Sequence, residues 1–282
     1  MPRYLRLGLL LAFALGLSGC ALLDSLLGPA NRPTATLVGV RLTDFSLNDL
    51  TVVLDVAVKN PYAVPLPLAN IEYAFASQGQ PFLKGQAALQ GSIAAGQSKT
   101  LSLPAKVVFA ELLRLVSNVR PGALIAYRVT LGLSVNAPVL GPLRLPLEKA
   151  GTLPIPAPPA VSVASVVWTN VSLAGATGVL KLRVTNPNAF AFDVAALDYD
   201  VRLGAFHLAK GGLVNAASLA AGAAQELGIN VSVSTAQAGM AIIQLVQGRS
   251  SAYSLGGALS IGTPFGPLRI PVNVTGQVPF VH

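Results

Sequence analysis

The chain contains few of the residues from which most catalytic sites are built. Its 282 residues include one cysteine and two histidines, and only 11% are charged, against roughly 25% in ordinary globular domains. One cysteine excludes both a disulfide framework and a zinc site built on several thiolates. The sequence also lacks the phosphate-binding, dinucleotide-binding and His-Glu-x-x-His motifs. We therefore expect no catalytic activity, no metal and no cofactor.

Aromatic residues are scarce as well, at 6%, although 52% of the chain is hydrophobic. Such an apolar chain is not disordered, and its 27 glycines and 21 prolines are typical of a β protein with many turns. The formal charge is +8, but the basic residues are scattered singly and few aromatics are present to stack on bases. We expect no nucleic-acid partner.

The N-terminal segment reads as a targeting signal. Arg3 and Arg6 precede an apolar run, Leu7–Leu17, which is much shorter than the roughly 20 residues that a spanning helix needs. The sequence Leu-Ser-Gly-Cys that ends at Cys20 resembles the bacterial lipobox, whose cysteine is acylated and becomes the first mature residue. The resemblance implies an exported lipoprotein anchored in a membrane of the cell envelope through Cys20. The residue that follows is Ala21 rather than Asp, which favours the outer membrane.

The rest of the chain is a tandem duplication. At an offset of 126 positions Asn60-Pro61 recurs as Asn186-Pro187, and Lys84-Gly85 recurs as Lys210-Gly211. The register holds over about a hundred residues, with one residue lost after Pro138, and it indicates two copies of one domain. The predicted organisation is a signal peptide (1–19), a tether (20–36), a first domain (37–152), a Pro-rich linker (153–160) and a second domain (161–282).

Each copy has the hydrophobic pattern of β-strands. Leu54, Val56 and Val58 alternate with more polar residues, and turn residues separate such runs at the spacing of a β-sandwich. One segment per copy breaks the alternation. Residues 109–116 and 238–246 have apolar positions three and four apart, which predicts a short helix in each domain.

The Asn-Pro motif carries a family resemblance. Alternating strands end in Val58-Lys59-Asn60-Pro61-Tyr62 and in Val184-Thr185-Asn186-Pro187-Asn188, and each is followed by an apolar strand with a tyrosine. Both copies resemble the type-2 late embryogenesis abundant family, also called the water-stress and hypersensitive-response domain. The first copy departs from the Asn-Pro-Asn mark because Tyr62 stands in the third place.

The resemblance implies a seven-stranded, Greek-key β-sandwich, fibronectin-III-like in outline, with one short helix and no catalysis. It also implies a link to desiccation tolerance. From the residues themselves we interpret Asn60 and Asn186 as turn-formers, because Asn bonds to nearby backbone while Pro61 and Pro187 end strand pairing.

Three weaker candidates for chemistry remain. Asp198 and Asp200 lie on one face of a predicted strand, as paired carboxylates of a glycosidase or a Ca²⁺ site would. The first copy has Ala74 in place of the second carboxylate, so we interpret the pair as surface charge. His207 has no evident nucleophile and is interpreted as a surface residue. Trp168 is interpreted as a core or rim residue.

The leading hypothesis is a non-enzymatic, lipid-anchored envelope protein that protects membranes or neighbouring proteins during water stress. A second hypothesis is an envelope binding or adaptor module that holds a lipid, peptide or protein partner. A third, hydrolysis of an envelope polymer, depends only on Asp198 and Asp200.

Overall fold

The computed structural model describes residues 32–138, 140–172, 174–203, 206–234, 251–278 and 280–281. The predicted signal peptide, including Cys20, and the predicted helix at 238–246 lie outside these residues. Within them the chain is almost entirely β-structure, so the all-β prediction is confirmed.

The first copy forms its strands where apolar and polar residues alternate. Its elements are β1 (Thr34–Thr43), β2 (Asp49–Lys59), β3 (Leu66–Ser77), β4 (Gln80–Ala88), β5 (Ser92–Ile93), β6 (Ser98–Val108), α1 (Phe109–Leu115), β7 (Leu124–Ala137) and β8 (Gly141–Pro154). The helix predicted at 109–116 is confirmed as α1, which buries Phe109 and Leu112. Its Glu111 lies in the first turn and its Arg114 in the last, where each charge complements the helix dipole.

The second copy repeats the pattern. Its elements are β9 (Ala160–Ser172), β10 (Gly175–Thr185), β11 (Phe192–Leu203), β12 (Phe206–Leu219), β13 (Ala224–Ser234), β14 (Ser251–Thr263), β15 (Gly266–Val278) and β16 (Phe280–Val281). A single strand, β12, takes the place that β4 and β5 share in the first copy.

The two copies share one sheet topology. The strand orders are β1-β2-β6 and β4-β3-β7-β8 in the first copy, with β5 beside β3, and β13-β10-β9-β16 and β12-β11-β14-β15 in the second. Because β6 pairs with β2 rather than with β3, β4 or β5, the chain crosses between sheets as in a Greek key. Two tandem β-sandwiches are therefore confirmed.

Both sheets of the second copy contribute to one core. Leu180 on β10, Val194 and Leu197 on β11, and Leu259 on β14 are fully buried and belong to the same apolar cluster, which also contains the predicted core residue Trp168. Burying a side chain of this size contributes roughly 1.5–3 kcal/mol, so the alternating pattern places the main favourable contribution to folding inside the sandwich.

The chain divides into two compact units. One holds the residues up to Arg41 together with Val52–Ala105 and Tyr127–Gly151, and the other holds Leu42–Thr51, Lys106–Ala126 and Thr152–His282. The predicted linker therefore falls within the second unit, where Leu153 and Ile155 are buried.

The sheet that contains β3 in the first copy and the sheet that contains β11 in the second end in edge strands that differ in proline content. Pro81 lies in β4, Pro142 and Pro146 lie in β8, and Pro267 and Pro271 lie in β15. Proline has no N–H to offer a further strand, so it limits pairing at an edge. The fourth edge strand, β12, contains no proline.

Candidate functional site: two buried asparagine turns

Asn60 lies directly after β2 and is fully buried. Its Nδ2 donates to the carbonyl oxygens of Val64, Ile93 and Ala94 at 2.9, 3.0 and 3.1 Å. Its Oδ1 accepts the backbone N–H of Tyr62 at 2.9 Å. The side chain thus closes its own turn and also holds the end of β5.

Asn186 forms the same arrangement after β10 and is also fully buried. Its Nδ2 donates to the carbonyl oxygens of Phe190, Leu219 and Ala220 at 2.8, 3.4 and 2.9 Å. Its Oδ1 accepts the backbone N–H of Asn188 at 2.9 Å. The two turns therefore have matching partners in the two copies.

Each turn satisfies its own polar groups. The backbone N–H of Asn60 donates to Gln97 and that of Asn186 donates to Ala223, while the prolines that follow have no N–H. A buried amide is stabilising only when its donors and acceptor are paired. Both amides bond to the protein's own backbone. Each asparagine therefore suits the role of a structural joint, a buried side chain that ties its turn to a distant part of the chain, better than the role of a ligand site.

The third position of the motif differs between the copies. Asn188 donates from Nδ2 to the carbonyl of Ala157 at 3.0 Å and accepts the N–H of Ala157 at 2.8 Å through Oδ1. It therefore pairs with the linker as a neighbouring strand would. Tyr62 is buried too, but its hydroxyl has no hydrogen-bond partner within the described part of the chain.

A glycine lies beside the second turn. Gly122 donates its N–H to the carbonyl of Ile155 at 2.6 Å and accepts the N–H of Ala189 at 2.7 Å. Its φ is +90°, and a Cβ would lie 2.6 Å from the carbonyl oxygen of Pro187. Only glycine fits this position without displacing the backbone of the motif.

The two carboxylates on β11 have separate partners. Asp198 bonds Arg269 at 3.2 Å, whereas Asp200 accepts from His207 at 3.1 Å and lies 3.7 Å from Arg202. Asp198 is 58% exposed. His207, interpreted as a surface residue, is exposed. The two carboxylates lie on one face, as predicted, but each is held by its own cation.

The first copy has a matching ion pair in a groove. Arg144 bonds Glu72 at 2.7 Å, and the two residues occupy the places of Arg269 and Asp198. The groove, of about 800 Å³, lies on the outer face of β4-β3-β7-β8 and is lined by Glu72, Lys84, Arg144 and Glu148 over Gly85 and Gly132. It offers paired charges and exposed backbone, without an enclosed cavity.

The outer face of β1-β2-β6 in the first copy carries two carboxylates, each bonded to a basic side chain. Asp55 on β2 accepts two bonds from Arg41, at 2.9 and 3.0 Å, and one from Ser102 at 2.6 Å. The bonds from Arg41, followed by that from Ser102, lower the pKa of Asp55 to about 2. Lys106 likewise bonds Asp49 and lowers the pKa of that carboxyl. These contacts join three strands, and their only sign in the sequence is outward-facing charge.

The tyrosines that recur between the copies lie over glycines. Tyr73 is the cross-strand neighbour of Gly85, and Tyr199 is that of Gly211. A Cβ at either glycine would overlap the tyrosine ring. The ring covers the backbone that the glycine leaves bare, a known way to stabilise glycine in a sheet.

The described residues contain neither a metal-binding cluster nor a membrane-spanning helix. No group of three or more His, Cys, Asp or Glu side chains lies close enough together to bind a metal ion. No helix in this part of the chain has the length and apolar character needed to cross a membrane.

Comparison with known proteins identifies both copies. Residues 55–151 and 181–276 match the family model LEA_2, late embryogenesis abundant protein. The desiccation protectant protein Lea14 homolog of Glycine max is 30% identical over 125 residues, which cover 44% of this chain and 82% of that protein. The desiccation-related protein PCC27-45 of Craterostigma plantagineum is 32% identical over 126 residues, with 44% and 83% covered. A solution structure from Arabidopsis thaliana aligns at 28% identity and a TM-score of 0.37, covering 44% of this chain and 82% of that one.

Proposed function

The chain belongs to the late embryogenesis abundant protein family, with two tandem LEA_2 regions, and on this basis we propose that it is a non-enzymatic protein that protects cell-envelope components during water loss. The observation that carries the proposal is the family match in both copies. It is supported by relatives from two plants whose names refer to desiccation.

The geometry supports a role without catalysis. The polar groups that recur in both copies are either buried and bonded to backbone, as Asn60 and Asn186 are, or exposed and paired with a cation, as Glu72 and Asp198 are. A nucleophile or general base must be able to reach a substrate with its reactive atom. These groups instead hold strands together.

Attachment to the envelope depends on Cys20. Several acyl chains on the cysteine would anchor the protein stably, whereas one chain binds a membrane only marginally. The tethered sandwiches would then present outer faces of paired charge, such as the cluster around Asp55, to neighbouring lipids and proteins. As water is lost, these faces would replace part of the missing hydration.

A deletion strain tests the proposal. We expect lower survival after drying and after osmotic stress than in the parent, and recovery with the wild-type chain. A Cys20→Ser variant should leave the membrane fraction and restore survival poorly, whereas Ser25→Ala, in the same tether, should behave as wild type. Equal survival of the deletion strain and its parent would refute protection. Continued sedimentation of Cys20→Ser with membranes would refute the lipid anchor.

The groove over Gly85 and Gly132 favours a second candidate, an envelope binding or adaptor module. Its paired charges could receive a lipid head group, a peptide or a protein. Pull-down of the native protein with and without drying stress would test it. A stoichiometric partner that is lost in Arg144→Glu but kept in Arg269→Glu, the matching change in the second copy, would support this candidate over protection alone.

A further inference from the structure

The strand β12 is an open sheet edge. Its 14 residues pair with β11 on one side, and within the described residues no strand pairs with the other side. Lys210, Gly211 and Gly212 are exposed at its middle, and the Val214 side chain is 77% exposed. An edge of this length without proline offers a row of N–H and C=O groups to a further strand.

The first copy closes the same edge. There β4 has only nine residues, with Pro81 at the position of His207 and Gln86 at the position of Gly212. Pro81 pairs with Ala76 as His207 pairs with Arg202. The fold therefore accepts a proline at this place, and the second copy lacks it.

The first copy also shows how an ion pair can cross a strand. Glu72 on β3 is the direct neighbour of Gly132 on β7. The Arg144 side chain from the next strand lies over Gly132 and bonds Glu72. Because glycine has no side chain, a basic residue on one strand reaches a carboxylate two strands away.

The second copy has the matching pair, Asp198 with Arg269, and it also has a glycine on the other side of this carboxylate, at the open edge. Asp198 on β11 is the direct neighbour of Gly212 on β12, and the bare glycine is the last residue before solvent. Lys210 lies on the same face, and it forms no salt bridge with any described residue. Its neighbour Asp200 instead bonds His207. Asp198 bonds Arg269 but is still 58% exposed, so it can accept a second cation. A lysine on a further strand beside Gly212 would reach it across the glycine.

We propose that β12 is a self-association edge, to which β12 of a second copy adds antiparallel with Gly211 at the two-fold axis. In this register Lys210 lies opposite the partner subunit's Gly212 and reaches across it to the partner subunit's Asp198. The symmetry repeats the contact, so two lysine–aspartate pairs and a ladder of backbone bonds form together. The charge complementarity selects a second copy of this chain over an unrelated strand.

Sedimentation equilibrium of the full chain, in a density-matched detergent, tests the proposal from about 1 µM to about 1 mM. We expect the protein mass to rise with concentration from that of one chain toward twice that value. Lys210→Glu should raise the dimer dissociation constant at least tenfold, about 1.4 kcal/mol, because the new glutamate would face the partner subunit's Asp198 and repel it. Lys84→Glu makes the same charge change on the aligned edge of the first copy and should leave the constant unchanged.

His207→Pro provides an independent test, because it places on β12 the residue that closes β4. Folding is checked by the fluorescence of Trp168, and a folded variant should remain monomeric. Three results would overturn the proposal: a monomer at every concentration, a dimer that persists in folded His207→Pro, or equal weakening by Lys84→Glu and Lys210→Glu. If His207→Pro does not fold, the comparison of the two lysine variants decides.

Discussion

Replacing Asn186 with alanine tests whether the Asn-Pro turn is a structural joint. The change removes the amide that serves the carbonyl oxygens of Phe190, Leu219 and Ala220 and the backbone N–H of Asn188. A buried group left without a partner costs about 1–3 kcal/mol. Even if water reaches two of the four groups, we expect the second domain to lose about 2–6 kcal/mol of its free energy of unfolding.

Urea denaturation followed by tryptophan fluorescence measures this loss. The single tryptophan, Trp168, is buried in the second copy, so its signal reports the domain that contains Asn186. With an m-value of about 2 kcal/mol per molar urea, the midpoint should fall by about 1–3 M. Asn230→Ala is the matched control, because Asn230 is exposed on β13, and its midpoint should move by less than about 0.3 M.

The refuting result is a midpoint for Asn186→Ala that matches the midpoint of the control. That outcome would show that the carbonyl groups find other partners and that the amide is not the joint. Asn186→Asp sharpens the test, since its carboxylate would face carbonyl oxygens and have a raised pKa. A raised pKa in the folded state means that the stability of this variant should increase as the pH falls from 7 toward 4.

Two further predictions concern other contacts. Gly122→Ala should destabilise the second unit by about 1–3 kcal/mol, because the new Cβ would meet the Pro187 carbonyl oxygen at a φ of +90°. The control is Gly222→Ala, at a φ of +71° with no atom within 4 Å, which should lose less stability in the same urea assay. Equal losses in the two variants would contradict the steric reason. Asp55→Asn should lower the melting temperature of the first unit, followed by circular dichroism, at pH 6 but not at pH 2. The lowered pKa of about 2 means that the stabilisation by Asp55 is present above its ordinary pKa of about 3.9 and is lost as the pH falls toward 2. A difference that is independent of pH would show that the ionised carboxyl is not the cause.

The parts of the fold that local patterns encode could be predicted from the sequence. Alternation at Leu54, Val56 and Val58 predicts a half-buried strand because side chains alternate across a sheet, and the structure has β2 there. The duplication was visible as an offset of 126 positions between matching residues, which becomes 125 after Pro138. The short helix at 109–116 was visible because its apolar spacing differs from that of the strands around it.

The partners of the motif could not be predicted in the same way. The sequence indicated that Asn60 forms a turn, but its bonds to Ile93 and Ala94 depend on where the chain returns after β5. The tyrosine over Gly85 likewise depends on the register between β3 and β4. Local composition carries no information on such register, because it is set by the whole sheet.

The reach of the two asparagines has a consequence for the order of folding. Asn60 bonds carbonyl groups 33 and 34 residues further along the chain, and Asn186 spans the same two separations. Neither amide can be satisfied while only the adjacent hairpin exists, because the loop must first be closed at an entropic cost. Each joint therefore forms only after the chain has passed β5 in the first copy or β12 in the second, so a gene fragment cut inside this span would leave an unpaired amide. A chain of this design grows by whole domains, and this one contains two.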